Sequence, residues 1–143
     1  GMAYLGQQPH SFAGTLSGNI ALRRPAIGTA QIEEAVHLAA LEDVVKTHPG
    51  SVGEGGMGLS GGETRRLALA RAAADTTAGL ILADEPTAHL DAQTAAEVTS
   101  GLLTLAQGRT LIVATHDPEL AARMDRVIRL EPSLAQGEGG NAP

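Results

Sequence analysis

The chain contains no cysteine and no tryptophan, and Tyr4, Phe12 and Lys46 are the sole residues of their kinds. Without cysteine there is neither a disulfide nor a thiolate metal site. With two aromatics among 143 residues, the 43% apolar fraction consists of Ala, Leu, Ile, Val and Met. Such a core suits helices packed on a parallel sheet, where branched aliphatics dominate. No apolar run approaches the ~20 residues that span a bilayer, and no basic segment followed by a long apolar stretch marks a secretory leader after Met2. Positive charge is also scarce: 10 Lys and Arg stand against 16 Asp and Glu, for a net charge of −6. The basic residues are scattered, so no nucleic-acid partner is expected, since a duplex-binding surface needs a concentrated positive patch. The length suits one domain, and cytosolic surroundings are expected.

Periodicity divides the chain into alternating strands and helices. Ala3–Gly6 reads as a strand end, and Gln7–Gly18, with Pro9 and two glycines, as a loop. Gln31–Ala40 has helical spacing, with Ile32, Ala35, Val36 and Ala39 on one face. Leu41–Thr47 continues as a second helix, stopped by Pro49-Gly50. Ser51–Gly58 holds four glycines in eight residues and is a loop. A helix then runs from Ser60 to about Ala74, with Ser60 and Glu63 spaced as a capping box. Gly79–Ala83 is a short continuous apolar run, as in a buried parallel strand, and ends at Asp84-Glu85. Asp91–Leu105 is a helix, Thr110–Thr115 a second buried strand ending at His116, Pro118–Met124 a short helix and Arg126–Leu130 a third strand. The Gly- and Pro-rich tail from 132 to 143 is expected to be disordered. The alternation predicts an α/β fold with a parallel sheet, and in such sheets ligands bind outside the carboxyl ends of the strands.

Four local patterns carry chemistry. Leu59-Ser60-Gly61-Gly62-Glu63 opens a helix, where unpaired N–H groups and the helix dipole favour an anion and two glycines allow a phosphate close approach. The strand Leu80–Ala83 ends in Asp84, the pattern that holds Mg²⁺ in phosphate-loop ATPases, while Glu85 is placed to take a proton from an attacking water. His116, at the next strand end, can donate a hydrogen bond to a γ-phosphate. Gln7, after the first strand, offers a neutral amide to Mg²⁺ or to water. His10, His37 and His48 have no such context and read as surface or packing residues.

In this order and spacing the patterns resemble the ATP-binding-cassette family, over nearly the whole chain from Tyr4 to Glu131. The resemblance equates Gln7 with the Q-loop glutamine, Leu59–Glu63 with the signature motif (Glu standing where Gln is commoner), and Asp84 and Glu85 with the Walker B aspartate and catalytic glutamate. Ala88-His89-Leu90-Asp91 corresponds to the D-loop and His116 to the switch histidine. It implies ATP and Mg²⁺ as ligands, Glu85 and His116 as catalytic residues, and Asp84 with Gln7 at the metal, partly through water. Gln7, Ser60, Gly61, Gly62, Glu63 and Asp91 form the implied nucleotide-binding set. Phe12-Ala13-Gly14-Thr15-Leu16 with Asn19-Ile20 resembles the segment after the Q-loop in exporter-type cassettes. Val52-Gly53-Glu54-Gly55-Gly56 resembles the loop that touches the coupling helices of the membrane domains. The stretch Asp84–Asp91 is similar to bacterial heterodimeric exporters of cysteine and glutathione.

No Gly-x-x-x-x-Gly-Lys-[Ser/Thr] occurs in the sequence, and no glycine stands in register before Lys46. Without that loop no backbone cradle for a β-phosphate is present. The expected fold is therefore a partial phosphate-loop NTPase core with parallel strands plus the α-helical signature subdomain, the Walker A part missing. Residues 10–78 are expected to form the helical subdomain and 79–131 the catalytic core. In the family two cassettes sandwich two ATP molecules head to tail, which implies a second cassette and a membrane-spanning domain as partners, at the cytoplasmic side of the plasma membrane. The isolated chain is expected to be inactive, with open sheet edges that invite self-association. Two alternatives remain at this stage: a module that only donates a signature motif to a partner cassette, and a non-transport cassette ATPase.

Overall fold

A computed structural model describes residues 1–22, 24, 26–53 and 58–131. Strands β1 (Met2–Leu5), β2 (Leu80–Asp84) and β3 (Thr110–Ala114) form a parallel sheet in that order. The registers Leu5↔Ala83 and Asp84↔Ala114 align the three carboxyl ends. The residues that leave the strands, Gln7, Glu85 and His116, therefore emerge along one edge of the sheet. Helices α1 (Leu16–Ala21), α2 (Thr29–Leu38), α3 (Glu42–Thr47) and α4 (Gly61–Ala74) lie between β1 and β2; α5 (Ala92–Leu105) precedes β3 and α6 (Pro118–Ala121) follows it.

The helix starts follow their local sequence. Thr15, Ser60, Asp91 and Asp117 each cap a helix by accepting a backbone N–H with the side chain, which satisfies donors that the first turn leaves unpaired. The capping box read at Ser60 and Glu63 is formed in both directions, Glu63 N donating to Ser60 Oγ at 3.2 Å and Ser60 N to Glu63 Oε2 at 2.8 Å. The predicted loop through Gly18 is shorter than expected, because the Thr15 cap starts α1 at Leu16.

Helix α4 packs across one face of the sheet. Its Leu67, Leu69 and Ala70 are fully buried in one cluster with Ala3, Leu5, Ile81 and Ala83. Alanines at 68, 70, 72 and 74 keep α4 narrow enough to meet α1, α2, α5 and β1 together. Gly101 of α5 lies against it so closely that a Cβ there would fall 2.7 Å from both the Leu38 carbonyl oxygen and Leu69 Cδ2.

Among the described residues the opposite face of the sheet is largely exposed. By register Met2, Tyr4, Leu80, Leu82 and Ile112 share it, and Met2, Tyr4 and Ile112 are exposed. Arg126–Leu130, read from the sequence as a third strand after β2 and β3, is not one. A strand needs ladder partners for its backbone groups; among the described residues none pairs with this segment, although Arg126 and Ile128 line a cavity with Leu111, Ile112 and Val113 of β3. Ile128 and Leu130 are 71% and 92% exposed. Helix α6 likewise ends at Ala121 instead of Met124, closing in tighter i→i+3 bonds from Arg123 and Met124. Glu54, Gly55 and Gly56 of the loop read as touching coupling helices, and the tail 132–143 read as disordered, lie outside the described residues.

Exposed apolar side chains beside a free strand edge favour strand-to-strand association. The purified chain is expected to sediment as concentration-dependent oligomers, and the double substitution Tyr4→Lys, Ile112→Lys to shift it towards monomer. A concentration-independent monomer for the unaltered chain would remove this reading.

Candidate functional site

The aligned strand ends bring Gln7, Asp84, Glu85 and His116 together. Gln7 Nε2 donates to Asp84 Oδ2 across 77 residues of sequence, at 3.1 Å. Next to this pair, His116 Nδ1 meets Glu85 Oε1 at 2.7 Å. The carboxylate of Glu85 is largely covered, its side chain 21% exposed, whereas that of His116 is 82% exposed. Thr115 Oγ1 donates to the other Glu85 oxygen at 3.4 Å. With the carboxylate ionised, Nδ1 carries the proton, which leaves Nε2 facing outwards. The hydrogen bond His116 donates to Glu85, then the negative charge of that carboxylate, raises the His116 pKa above the ordinary histidine value.

The loops behind these residues are braced. Thr87 Oγ1 donates to Asp117 Oδ2 at 2.8 Å, tying the turn after β2 to the turn after β3. The Asp117 backbone N–H donates to Thr115 Oγ1 at 3.0 Å. The Thr87 hydrogen bond is the chief cause that holds the Asp117 carboxyl below the usual carboxylate range. Glu85 takes a left-handed backbone conformation, φ 47°, directly before Pro86. Left-handed geometry is uncommon for a non-glycine residue. It turns the chain sharply off β2, while the Glu85 N–H stays paired to Ala114 O at 2.8 Å.

Ser60, Gly61, Gly62 and Glu63 form a second cluster at the start of α4. Ser60 and Gly61 are exposed, so the open end of the helix is accessible to an anion. Glu63 engages the Ser60 backbone N–H through Oε2 in the capping box, and so shapes the turn. Gly62 packs against α5: a Cβ there would lie 3.0 Å from Thr94 Cγ2. Thr94 in turn holds Asp91, its backbone N–H donating to Oδ1 at 2.9 Å and its hydroxyl to Oδ2 at 2.7 Å. These bonds, the backbone one first, lower the Asp91 pKa below its ordinary value. Asp91 therefore stands beside the Ser60 turn, not with Asp84 and Glu85 along the strand ends. His89, just before it, is exposed and left-handed at φ 61°.

The sequence reading missed Arg65, Thr87, Thr115 and Asp117 as parts of the site. The last three had a signal: a hydroxyl and a carboxylate flank His116, and a hydroxyl stands two residues after Glu85, at adjacent strand ends. Arg65, whose Nη1 donates to the Glu85 carbonyl oxygen at 2.7 Å, had none, because that tie depends on how α4 packs on the sheet. Of the histidines set aside, His48 holds the Gly58 carbonyl through Nε2 at 2.8 Å, and His37 pairs with Glu42 at 2.7 Å.

A family model described as ABC transporter matches residues 1–88. The glutathione/L-cysteine transport system ATP-binding/permease protein CydC of Bacillus subtilis is 37% identical over 134 residues, which cover 91% of this chain and 24% of that protein. The ATP-dependent lipid A-core flippase of Cupriavidus metallidurans is 36% identical over 99% of this chain and 25% of its own length. Among solved structures, a bacterial Atm1-family ABC exporter with ATP bound superposes with a TM-score of 0.76 at 32% identity, over 87% of this chain and 22% of that one. The chain thus spans about a quarter of the length of these relatives.

Proposed function

The chain belongs to the ABC transporter family, and we propose that it forms the part of an exporter's ATP-hydrolysing domain that carries the catalytic carboxylate and the phosphate-facing helix turn. One observation carries the reading: the sheet register sets the Glu85–His116 pair beside the Gln7–Asp84 pair at the carboxyl edge. In this reading residues 10–78 are the helical subdomain and 79–131 the catalytic core, peripheral to a membrane-spanning domain on the cytoplasmic side. None of the described helices is long and apolar enough to cross a membrane.

Each residue then has a defined task. Glu85 takes a proton from the attacking water, as positioned carboxylates do. His116 orients that carboxylate through Nδ1 and presents Nε2 to a γ-phosphate. Thr115, Thr87 and Asp117 hold the two loops in place. Ser60, Gly61 and Gly62 offer backbone and hydroxyl donors to a phosphate held by a second cassette, and Asp91, bound to the same corner through Thr94, lies between the two half-sites.

The donor set for magnesium is Asp84 with the Gln7 amide; no group of three or more His, Cys, Asp or Glu with metal-holding geometry occurs among the described residues. That set is too sparse for an all-protein cage. It matches an ion that keeps its waters and is shared with nucleotide phosphates. Asp84 would hold it directly and Gln7 through water, and when bound it would neutralise charge on the phosphates.

A second reading is favoured by the exposed Ser60–Gly61 turn: the chain only donates its helix turn to a partner cassette. Calorimetry with Mg-ATP and parallel phosphate release, with and without a complete partner cassette, tests both. The chain alone is expected to show neither binding nor turnover, and to associate with the partner in an ATP-dependent way. Binding with turnover by the chain alone would overturn this assignment of the site. Partner turnover that rises with the chain but is indifferent to Glu85→Gln in it would select the donor reading.

A further inference from the structure

We infer that Arg65 is a positioning residue for Glu85: reaching from helix α4, its guanidinium holds the Glu85 carbonyl and so fixes the left-handed turn that aims the carboxylate at His116. The contact is direct, Arg65 Nη1 donating to Glu85 O at 2.7 Å. It is a charge-assisted bond, stronger than a neutral one. Arg65 lines a small cavity together with Leu5, Ala68, Pro86 and Val98. This apolar lining limits competition from water.

The recipient needs such a hold. Glu85 combines φ 47° with a following proline, and neither the left-handed region nor a helical conformation before proline is comfortable for a residue with a Cβ. Its N–H is taken by Ala114 O at 2.8 Å, and its carbonyl also accepts the turn bond from Ala88 N at 3.2 Å. The Ala88 bond is longer and lies within the turn itself, so it closes the turn without anchoring it to another element. Arg65 is the anchor that joins Glu85 to α4. A rotation of the Glu85 peptide would swing the carboxylate away from His116 Nδ1, now 2.7 Å away.

Arg65 stands little more than one helical turn after Ser60, on the same rigid helix. On the proposed function, Ser60 faces a nucleotide held by the partner and Glu85 faces the other one. Arg65 then gives the helix turn a short mechanical route to the carboxylate: a shift of α4 on engaging a phosphate is passed to the Glu85 backbone.

The test has two arms. In the 143-residue chain, labelled with ¹³C and ¹⁵N, Arg65→Ala is expected to move the Glu85 carbonyl carbon resonance and the φ-sensitive H^N–Hα coupling of Glu85 away from left-handed values, and to weaken the His116–Glu85 hydrogen-bond signature in the imidazole ¹⁵N shifts. Arg65→Lys, which keeps the charge and much of the reach, is expected to restore these signals in part, and serves as the probe if the alanine variant does not fold. Unchanged Glu85 signals in a folded Arg65→Ala chain overturn the clamp. In the complete transporter, Arg65→Ala is expected to lower kcat about 10–10²-fold with KM for ATP unchanged, as a misplaced catalytic group does. Altered Glu85 signals with unaltered kcat, in a protein that Glu85→Gln inactivates, overturn the positioning role. A fully active Glu85→Gln protein counts instead against the functional reading on which this arm rests.

Discussion

Replacing Glu85 by glutamine is expected to lower ATP turnover by the complete transporter about 10²–10⁴-fold, the range attributed to a positioned general base. The substitution is nearly isosteric. Glutamine can still accept from His116 Nδ1 through its amide oxygen, so the 2.7 Å contact is retained in shape. It cannot take a proton from water, so binding should persist while chemistry stops. Steady-state phosphate release alongside nucleotide binding separates the two. Full turnover in the variant would show that the proton goes elsewhere. His116→Ala should be slower as well, through the lost orientation of Glu85 and the lost Nε2 donor. The two losses should be less than additive, because the side chains act as one hydrogen-bonded unit.

Much of the site was legible in the sequence because it sits where a parallel sheet forces it to sit. Apolar runs at 80–83 and 110–115, each followed by polar residues, fix the strand ends, and a common register places Asp84, Glu85 and His116 along one edge. The Ser60 turn was legible for a different reason: a capping box is local, encoded within four residues. Contacts between elements distant in sequence were not legible. The Arg65–Glu85 bond depends on how α4 packs on the sheet, against β1, and the Asp91–Gly62 neighbourhood on the approach of α5 to α4. The reading of Arg126–Leu130 as a strand failed because Val127, Ile128 and Leu130 describe a segment able to pair, while pairing also needs the backbone to meet an edge in register; Arg126 and Ile128 only line a cavity beside edge strand β3.

The two faces of the sheet set up the second large effect. From sequence alone, Leu80–Ala83 and Thr110–Thr115 read as strands buried on both sides. The structure buries only the face under α4 and α5: Ile81 is 0% exposed and Ile112 is 56% exposed. Identical substitutions at these two isoleucines should therefore differ sharply. Ile81→Ala removes a side chain packed in the cluster of Ala3, Leu5, Leu67 and Ala83, and is expected to cost about 2–5 kcal/mol, the lost transfer energy plus a cavity that the neighbouring strands cannot close. That is a large part of the 5–15 kcal/mol by which a typical domain is stable. Ile112→Ala removes a side chain that already meets water and should cost about 1 kcal/mol or less. Urea unfolding of both variants, followed at low protein concentration so that association does not mask the comparison, measures the difference directly. Equal losses would mean that the Ile112 face is covered in solution, and the covering surface would then be a second copy of the chain. In that case the loss at Ile112 should shrink as the protein is diluted, because an association contribution follows concentration and a core contribution does not.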